Sequence, residues 1–186
     1  MKAKASVFVA TSLDGYIARP DGRIDWLDAA NAAVPSSEDC GYNQFISSID
    51  VIVMGRNTFE LALTFKPWPY EGKRVVVLSS KPVTIPVELR ATVSGSSESP
   101  DALMQRLSSE GARHLYVDGG ITIQNFLTAG LIDEITITLI PVILGEGKRL
   151  FGTVDNDIQL VHANTMTFEF GFVQLQYRVL KPRVQA

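Results

Sequence analysis

The chain has 186 residues, of which 46% are hydrophobic and 20% are charged, and its formal net charge is −3. This length is enough to bury a full hydrophobic core within one domain. The slightly negative charge argues against the dense basic surface that nucleic-acid binding requires, and the single cysteine, Cys40, excludes an internal disulfide. The two histidines, His114 and His162, are too few for a usual zinc site, so we predict no metal.

The apolar runs of the chain are short. The N-terminal segment reaches a predicted turn at Asp14 and Gly15 before a signal-like apolar stretch is complete, and no apolar run approaches the length of a membrane span. We therefore expect a cytoplasmic protein that binds a small molecule and binds neither a membrane nor a nucleic acid.

In chain order, predicted strands and helices alternate as far as residue 129. Apolar runs bounded by turn residues predict the strands, and serine caps followed by apolar residues at helical spacing predict the helices. Residues 24–27 are expected to bring Trp26 over the end of the sheet, and residues 94–100 to form a polar loop. The predicted strands span 5–11, 51–54, 74–78 and 114–117, and the predicted helices span 36–48, 58–63, 100–110 and 121–129.

From Glu134 onward the pattern changes to antiparallel strands, predicted over residues 135–140, 158–163 and 167–180. The chain therefore predicts one α/β domain over residues 1–186. Its architecture is three layers, α/β/α, around a mixed, mainly parallel sheet with antiparallel C-terminal strands. The antiparallel end carries more apolar residues than a solvent-facing edge normally shows, so we expect a homodimer through residues 135–140 and 167–180.

The strand at residues 51–54 runs through Gly55 directly into a helix. Such a junction directs unpaired backbone N–H groups and the positive end of a helix dipole toward one place, which favours an anion. Arg56 adds a guanidinium group that can bind a phosphate with two parallel hydrogen bonds, and Thr58 adds a hydroxyl. The alternative is an ordinary strand-to-helix connection with an arginine on its surface.

Two other strand ends carry similar features. Gly119 and Gly120 stand between a strand and a helix, and Ser79, Ser80 and Lys81 follow the strand at 74–78. The carboxyl ends of parallel strands meet at one edge of a sheet, so three anion-binding segments there suit a dinucleotide. Neither G-x-G-x-x-G nor a P-loop motif is present, so the Rossmann and P-loop versions do not apply.

The order and spacing of these motifs resemble the dihydrofolate reductase superfamily over nearly the whole chain. The similarity is to the branch that contains the reductase domain of bifunctional riboflavin-biosynthesis deaminase-reductases, the RibD C-terminal branch. The motifs are Ser12-x-Asp14-Gly15, Gly55-Arg56-x-Thr58-Phe59-Glu60, Leu78-Ser79-Ser80, Val117-Asp118-Gly119-Gly120, and Gly130-Leu131-Ile132-Asp133-Glu134 followed by Pro141 and Leu144-Gly145-x-Gly147.

The resemblance implies an NADPH-dependent reductase in which two groups of residues hold the cofactor. The pyrophosphate group comprises Gly55, Arg56, Asn57, Thr58, Gly119 and Gly120, and the 2′-phosphate group comprises Leu78, Ser79, Ser80 and Lys81. A dianionic 2′-phosphate needs hydroxyls and cations where NADH needs none, so the second group favours NADPH over NADH.

Hydride transfer to a C=N bond needs a proton for the nitrogen, and a carboxyl group is the natural source. The sequence from Arg56 back to Asp39 lines up without a gap against folate reductases, and Asp39 falls on their pterin-binding carboxylate. Asp39 is therefore the first catalytic candidate, and the alternative is a capping carboxylate three residues after Ser36. Asp118 is the second candidate, although riboflavin-type reductases usually carry glutamate there. The resemblance assigns Asp14, Asp39 and Asp118 to substrate binding.

The function that we predict is hydride transfer to a pyrimidine or pterin-like substrate, most like that of 5-amino-6-(5-phosphoribosylamino)uracil reductase. One alternative is a reductase of dihydrofolate or another pterin. Lys73 weighs against folate, because folate reductases carry an arginine for the glutamate tail at that position. Another alternative is a module that binds NADPH or another nucleotide without chemistry.

Overall fold

The computed structural model describes residues 2–181, so both ends of the predicted 1–186 domain, residue 1 and residues 182–186, lie outside the described residues. Ten strands are present in this part of the chain: β1 Lys4–Ser12, β2 Tyr16–Ala18, β3 Val51–Gly55, β4 Arg74–Leu78, β5 Val93–Ser96, β6 His114–Asp118, β7 Glu134–Ile140, β8 Lys148–Arg149, β9 Leu160–Thr167 and β10 Val173–Val179. Five α-helices accompany them: α1 Asp25–Asn31, α2 Tyr42–Ser47, α3 Arg56–Ala62, α4 Pro100–Ser109 and α5 Gly120–Thr128.

Eight of the strands form one sheet in the order β5-β4-β3-β6-β1-β7-β10-β9. The strands from β5 to β7 in this order pair in parallel, whereas β10 pairs antiparallel with β7 and with β9. The small strands β2 and β8 pair separately. The prediction of a mixed, mainly parallel sheet with antiparallel C-terminal strands is therefore confirmed.

Helices cover both faces of the sheet and make three layers. On one face, α4 and α5 contribute Leu103 and Phe126 to a buried cluster with Val117. On the other face, Phe59 of α3 belongs to a second cluster, and Trp26 of α1 to a third. Because both faces are covered, consecutive residues of the central strands are apolar and buried, as parallel sheets require.

The prediction of a helix over 36–48 is wrong in its start, because α2 begins only at Tyr42. Cys40 has φ of 51° and Gly41 has φ of 80°, so the chain turns through the left-handed region just before the helix. A continuous helix cannot include such residues. The serine at position 36 therefore caps nothing in α2.

Three other segments differ from their predictions. Residues 94–96 belong to the edge strand β5, which pairs with β4, and are not a loop. Residues 167–180 are not one strand, because Gly171 lies in the turn that joins β9 and β10. Trp26 packs over the sheet as expected, with Ile140 and Phe172, but within a helix, α1. No helix among residues 2–181 has the length and apolar character to cross a membrane.

Candidate active site

The carboxyl ends of four adjacent parallel strands bring the predicted site residues to one edge of the sheet. In the sheet order β4-β3-β6-β1, Leu78 pairs with Gly55 and Met54 pairs with Asp118. Neighbouring strands lie about 4.8 Å apart, so the aligned ends of β4, β3 and β6 span about 10 Å. The three segments singled out for anion binding therefore form a row at the ends of β4, β3 and β6, and Asp118 is the last residue of β6 in that row. The strand β1 continues to Ser12, beyond the level of Asp118.

The junctions β3–α3 and β6–α5 pack against each other through two glycines and two threonines. A Cβ atom at Gly119 would overlap Oγ1 of Thr58, and a Cβ atom at Gly55 would lie 2.9 Å from Oγ1 of Thr122. Gly119 also has φ of 87°, a conformation that other residues rarely adopt. The absence of a side chain at each glycine thus leaves room for the threonine of the other junction.

Gly120 is also enclosed by protein atoms. A Cβ atom there would lie 3.0 Å from Cδ1 of Ile17 and 3.3 Å from the carbonyl oxygen of Arg149. Packing alone therefore accounts for the absence of a side chain at Gly120, as it does at Gly119. Contact of their backbone with a phosphate stays a prediction.

The polar residues of the row lie at the surface, in the first turn of α3 and in the turn after β4. Arg56 donates Nε–H to Oε1 of Glu60 at 2.7 Å along the exposed side of α3, and Asn57 beside it is exposed. The hydroxyl of Ser79 accepts the N–H of Lys81 at 3.1 Å, which shapes the turn that carries Ser80. Hydroxyls and cations are the groups that phosphate oxygens bind, so the chemistry of this row suits an anion.

Asp118 is the last residue of β6, and its carboxyl group is partly buried on the same sheet face as Tyr116. Oδ1 accepts the N–H of Gly119 at 2.8 Å, and Oδ2 accepts the hydroxyl of Tyr70 at 3.2 Å. Burial raises the pKa of Asp118, because the charged form loses water, and the hydrogen bonds from Gly119 and Tyr70 oppose this shift. Asp118 is thus placed to hold a proton at higher pH than an exposed aspartate.

Three tyrosines surround the carboxyl group of Asp118. Burial, with the charge of Asp118 as a second cause, raises the pKa of Tyr42 to about 12. The pKa values of Tyr70 and Tyr116 are also raised well above the usual range, again by burial first. All three hydroxyls therefore keep their protons at neutral pH. The hydroxyl of Tyr116 donates to the carbonyl oxygen of Phe8 at 2.9 Å.

Asp39 lies in a different environment at the start of α2. Its carboxylate oxygens accept the N–H of Gly41 at 2.8 Å and that of Asn43 at 2.9 Å, and the residue is exposed. This is the geometry of a helix-capping carboxylate, the alternative interpretation of the sequence, although Ser36 takes no part. A role for Asp39 in catalysis or substrate binding stays a prediction.

Asp14 joins the turn after β1 to the loop after β7. Its carboxylate accepts the hydroxyl of Ser12 at 2.6 Å and the N–H groups of Leu144 at 3.1 Å and Gly145 at 2.7 Å. The Ser12 hydrogen bond is the main cause that lowers the pKa of Asp14 to about 2. Asp14 thus organises the loops around the site, and its contact with a substrate stays a prediction.

Sequence reasoning did not identify Tyr42, Tyr70 or Tyr116 as site residues. Tyr116 could have been found, because it lies two residues before Asp118 and strand residues two apart share a face. Tyr70 lies 48 residues before Asp118 in a proline-rich loop, and no local pattern connects them. Only the folded chain brings those two side chains together.

A family model described as the RibD C-terminal domain matches residues 3–173. The chain belongs to this family. It is 35% identical to the Bacillus subtilis (strain 168) uncharacterized protein YwjB over 179 residues, which are 95% of this chain and 98% of that protein. It is 30% identical to a second uncharacterized protein of that strain, YyaP, over 178 residues, with 91% of each chain covered.

Solved structures of RibD-type proteins have the same fold. A putative riboflavin biosynthesis protein from Shewanella sp. PV-4 is 36% identical, with a TM-score of 0.88 over 97% of this chain and 99% of that chain. A Thermotoga maritima deaminase/5-amino-6-(5-phosphoribosylamino)uracil reductase is 15% identical, with a TM-score of 0.69 over 96% of this chain and 57% of that chain. The second likeness shows the fold alone.

Proposed function

We propose that this RibD C-terminal domain protein is an NADPH-dependent reductase. It would transfer a hydride to the C=N bond of a pyrimidine or pterin-like substrate, most like 5-amino-6-(5-phosphoribosylamino)uracil. Membership of the RibD C-terminal domain family supports a reductase-type oxidoreductase. The observation that carries the proposal is the partly buried carboxyl group of Asp118, which lies within the anion-binding row directly before Gly119.

The row of strand ends fits an anionic dinucleotide in its length and in its donors. It extends over about 10 Å, and it combines backbone N–H groups at the start of α5 with hydroxyls and two cations, Arg56 and Lys81. When bound, the reduced nicotinamide supplies the hydride. The residues that would hold the cofactor are Gly55, Arg56, Asn57, Thr58, Leu78, Ser79, Ser80, Lys81, Gly119 and Gly120.

Asp118 would supply the proton that the reaction needs. As the C=N carbon gains a hydride and the double bond becomes single, the nitrogen gains the proton of the Asp118 carboxyl group. The carboxylate that remains is stabilised by the N–H of Gly119 and the hydroxyl of Tyr70, and it regains a proton from solvent. Burial favours the protonated form of Asp118 before the transfer, which is the form that an acid catalyst requires.

A reductase assay with matched variants tests this proposal. NADPH consumption is followed with 5-amino-6-(5-phosphoribosylamino)uracil and, in parallel, with dihydrofolate. We expect turnover of the pyrimidine, and we expect Asp118→Asn to lower kcat by about 100-fold or more while NADPH still binds. Asp39→Asn is the comparison, because Asp39 caps α2. A large loss of kcat in Asp39→Asn alone would move the proton donor to Asp39.

The other outcomes of the assay separate the alternative functions. Faster turnover of dihydrofolate would make the protein a pterin reductase. Binding of NADPH without reduction of any C=N substrate would indicate a nucleotide-binding module without chemistry. Failure to bind NADPH would overturn the proposal.

We also propose that the protein is a homodimer that associates through the antiparallel end of the sheet. The predicted surface, residues 135–140 and 167–180, includes the interior strands β7 and β10, so the edge that can reach a second copy is β9. Every residue of β9 except Met166 is exposed, including Leu160 and Val161, and one side of its backbone faces away from β10. An edge strand with exposed aliphatic residues favours association.

A further inference from the structure

Three tyrosines from separate elements lie near Asp118, and one of them, Tyr70, donates its hydroxyl to the carboxyl group. Tyr42 comes from α2, Tyr70 from the loop before β4, and Tyr116 from β6 itself. Together with the N–H of Gly119, these are the groups that face the carboxyl group within the described residues, and none of them is a cation. Burial first and hydrogen bonds second, and not an ion pair, therefore govern how this carboxyl group holds and releases a proton.

The hydrogen bonds distinguish the two oxygens of Asp118. Oδ1 accepts the backbone N–H of Gly119, a donor that cannot rotate away, at 2.8 Å. Oδ2 accepts the hydroxyl of Tyr70 at 3.2 Å. Tyr116 has one hydroxyl proton, which it donates to Phe8, so its oxygen can only accept a proton from Asp118. Both oxygens accept a hydrogen bond, but the Tyr70 hydroxyl can rotate away from Oδ2 whereas the backbone N–H of Gly119 cannot leave Oδ1. The carboxyl proton therefore belongs on Oδ2.

We propose that Tyr70 is a positioning residue that fixes Oδ2 of Asp118 as the atom from which the substrate nitrogen takes its proton. This inference rests on the proposed reductase function. The hydrogen bond from Tyr70 is weak while Asp118 is neutral and becomes charge-assisted as the proton leaves. Its 3.2 Å length is long for a hydroxyl donor, so it can shorten as charge develops. The bond thus stabilises the transition state more than the bound substrate.

The test compares the pH dependence of kcat and KM in the wild-type protein and in Tyr70→Phe. We expect kcat to fall by about 10- to 100-fold with KM nearly unchanged, because the lost interaction forms only as Asp118 ionises. The Tyr70 hydroxyl lowers the pKa of Asp118, so its removal raises that pKa. An acid catalyst loses activity above its pKa, and the alkaline limb of the profile therefore moves to higher pH.

Two further variants control for structural effects. Tyr177→Phe in β10 removes a tyrosine hydroxyl far from Asp118 and leaves kcat and the alkaline limb unchanged. Replacement of Tyr70 by 3-fluorotyrosine keeps the ring and the hydroxyl but makes the hydroxyl a stronger donor. It moves the alkaline limb to lower pH, opposite to the phenylalanine variant, and it serves as the test if Tyr70→Phe does not fold.

The outcomes separate this inference from the proposed function. If Asp118→Asn abolishes turnover and the alkaline limb is the same in the wild-type protein and in both position-70 variants, Tyr70 has only a packing role and the inference is overturned. If Asp118→Asn retains full turnover, Asp118 is not the proton donor, and this part of the proposed function is overturned before the role of Tyr70 is in question. A direct titration of the Asp118 carboxyl carbon by NMR, in the wild-type protein and Tyr70→Phe, reports the same shift without turnover.

Discussion

At the scale of single residues, the raised pKa of Asp118 has a consequence for stability. The folded state holds the Asp118 proton more tightly than the unfolded state, so the free energy of unfolding decreases as the pH rises from about 4 through the folded pKa. The asparagine of the Asp118→Asn variant cannot ionise, so the free energy of unfolding of this variant does not decrease in this way. We expect its melting temperature, relative to the wild-type protein, to increase from pH 4 to pH 8. A difference that is constant over this range would contradict the burial of an ionisable Asp118.

The pKa of Asp14 is lowered, so the effect of pH on its contribution to stability is opposite in sign to that of Asp118. Asp14 therefore serves as the comparison. Its pKa is about 2 in the folded protein, below the ordinary value of 3.8, so its contribution to stability is present above about pH 4 and is lost as the pH falls to about 2. We therefore expect Asp14→Asn to be less stable than the wild-type protein at pH 6, with a gap that narrows on acidification. Thermal unfolding at pH 6, 4 and 3 measures it, and a gap that widens would contradict this.

The two carboxyl groups considered for catalysis show what a sequence can and cannot reveal about single residues. Asp118 stands between a buried strand and two glycines, so its position at the sheet edge was predictable. Its acid–base character depends on burial and on the hydroxyl of Tyr70, which is distant in sequence and approaches only in the folded chain. Asp39 was predicted as a catalyst or as a cap, and its hydrogen bonds are those of a cap.

At the scale of elements, the interlocked junctions β3–α3 and β6–α5 predict a specific pattern of stability changes. In Gly119→Ala the new residue would have to adopt a positive φ of 87°, and its side chain would overlap Oγ1 of Thr58. We expect this substitution to cost about 2–4 kcal/mol of stability. Gly130→Ala is the control, because Gly130 has φ of 64° with nothing within 4 Å of its would-be Cβ. We expect it to cost about 1–2 kcal/mol. Denaturant unfolding measures both changes.

A double variant separates overlap from backbone strain at Gly119. Thr58→Ala removes the overlapping oxygen but leaves the backbone conformation unchanged, so Gly119→Ala should cost less stability in the Thr58→Ala background than alone. Equal costs in both backgrounds would mean that Thr58 and Gly119 do not contact each other.

The elements that were predicted correctly are those with strong local patterns. The strand β4 and the helix α4 with its Ser99 cap agree with their predictions, because an apolar run and a serine–proline start are local signals. The strand β5 was missed because Ser94 and Gly95 carry no strand signal and are extended only by pairing with β4. The start of α2 was missed because left-handed Cys40 has no local signature.

At the scale of the whole molecule, the exposed edge strand β9 predicts an oligomeric state. We expect a dimer at micromolar concentration by light scattering coupled to size exclusion. Val161→Lys places a charge on this edge, where Val161 is 37% exposed, and should shift the protein to monomer. Val87→Lys, at a 74% exposed position outside the sheet, is the control and should remain dimeric. A wild-type monomer would refute association through β9.

The function depends on one claim about the sheet, namely that the ends of β4, β3 and β6 form one site for a nicotinamide dinucleotide. The most direct test is thermal unfolding of the wild-type protein with NADPH and, separately, with NADH. A ligand at about a hundred times its dissociation constant adds roughly 2.7 kcal/mol, or roughly 5–11 °C for a domain of this size. We predict a larger increase with NADPH than with NADH. No increase with either dinucleotide would contradict the site and the reductase function with it.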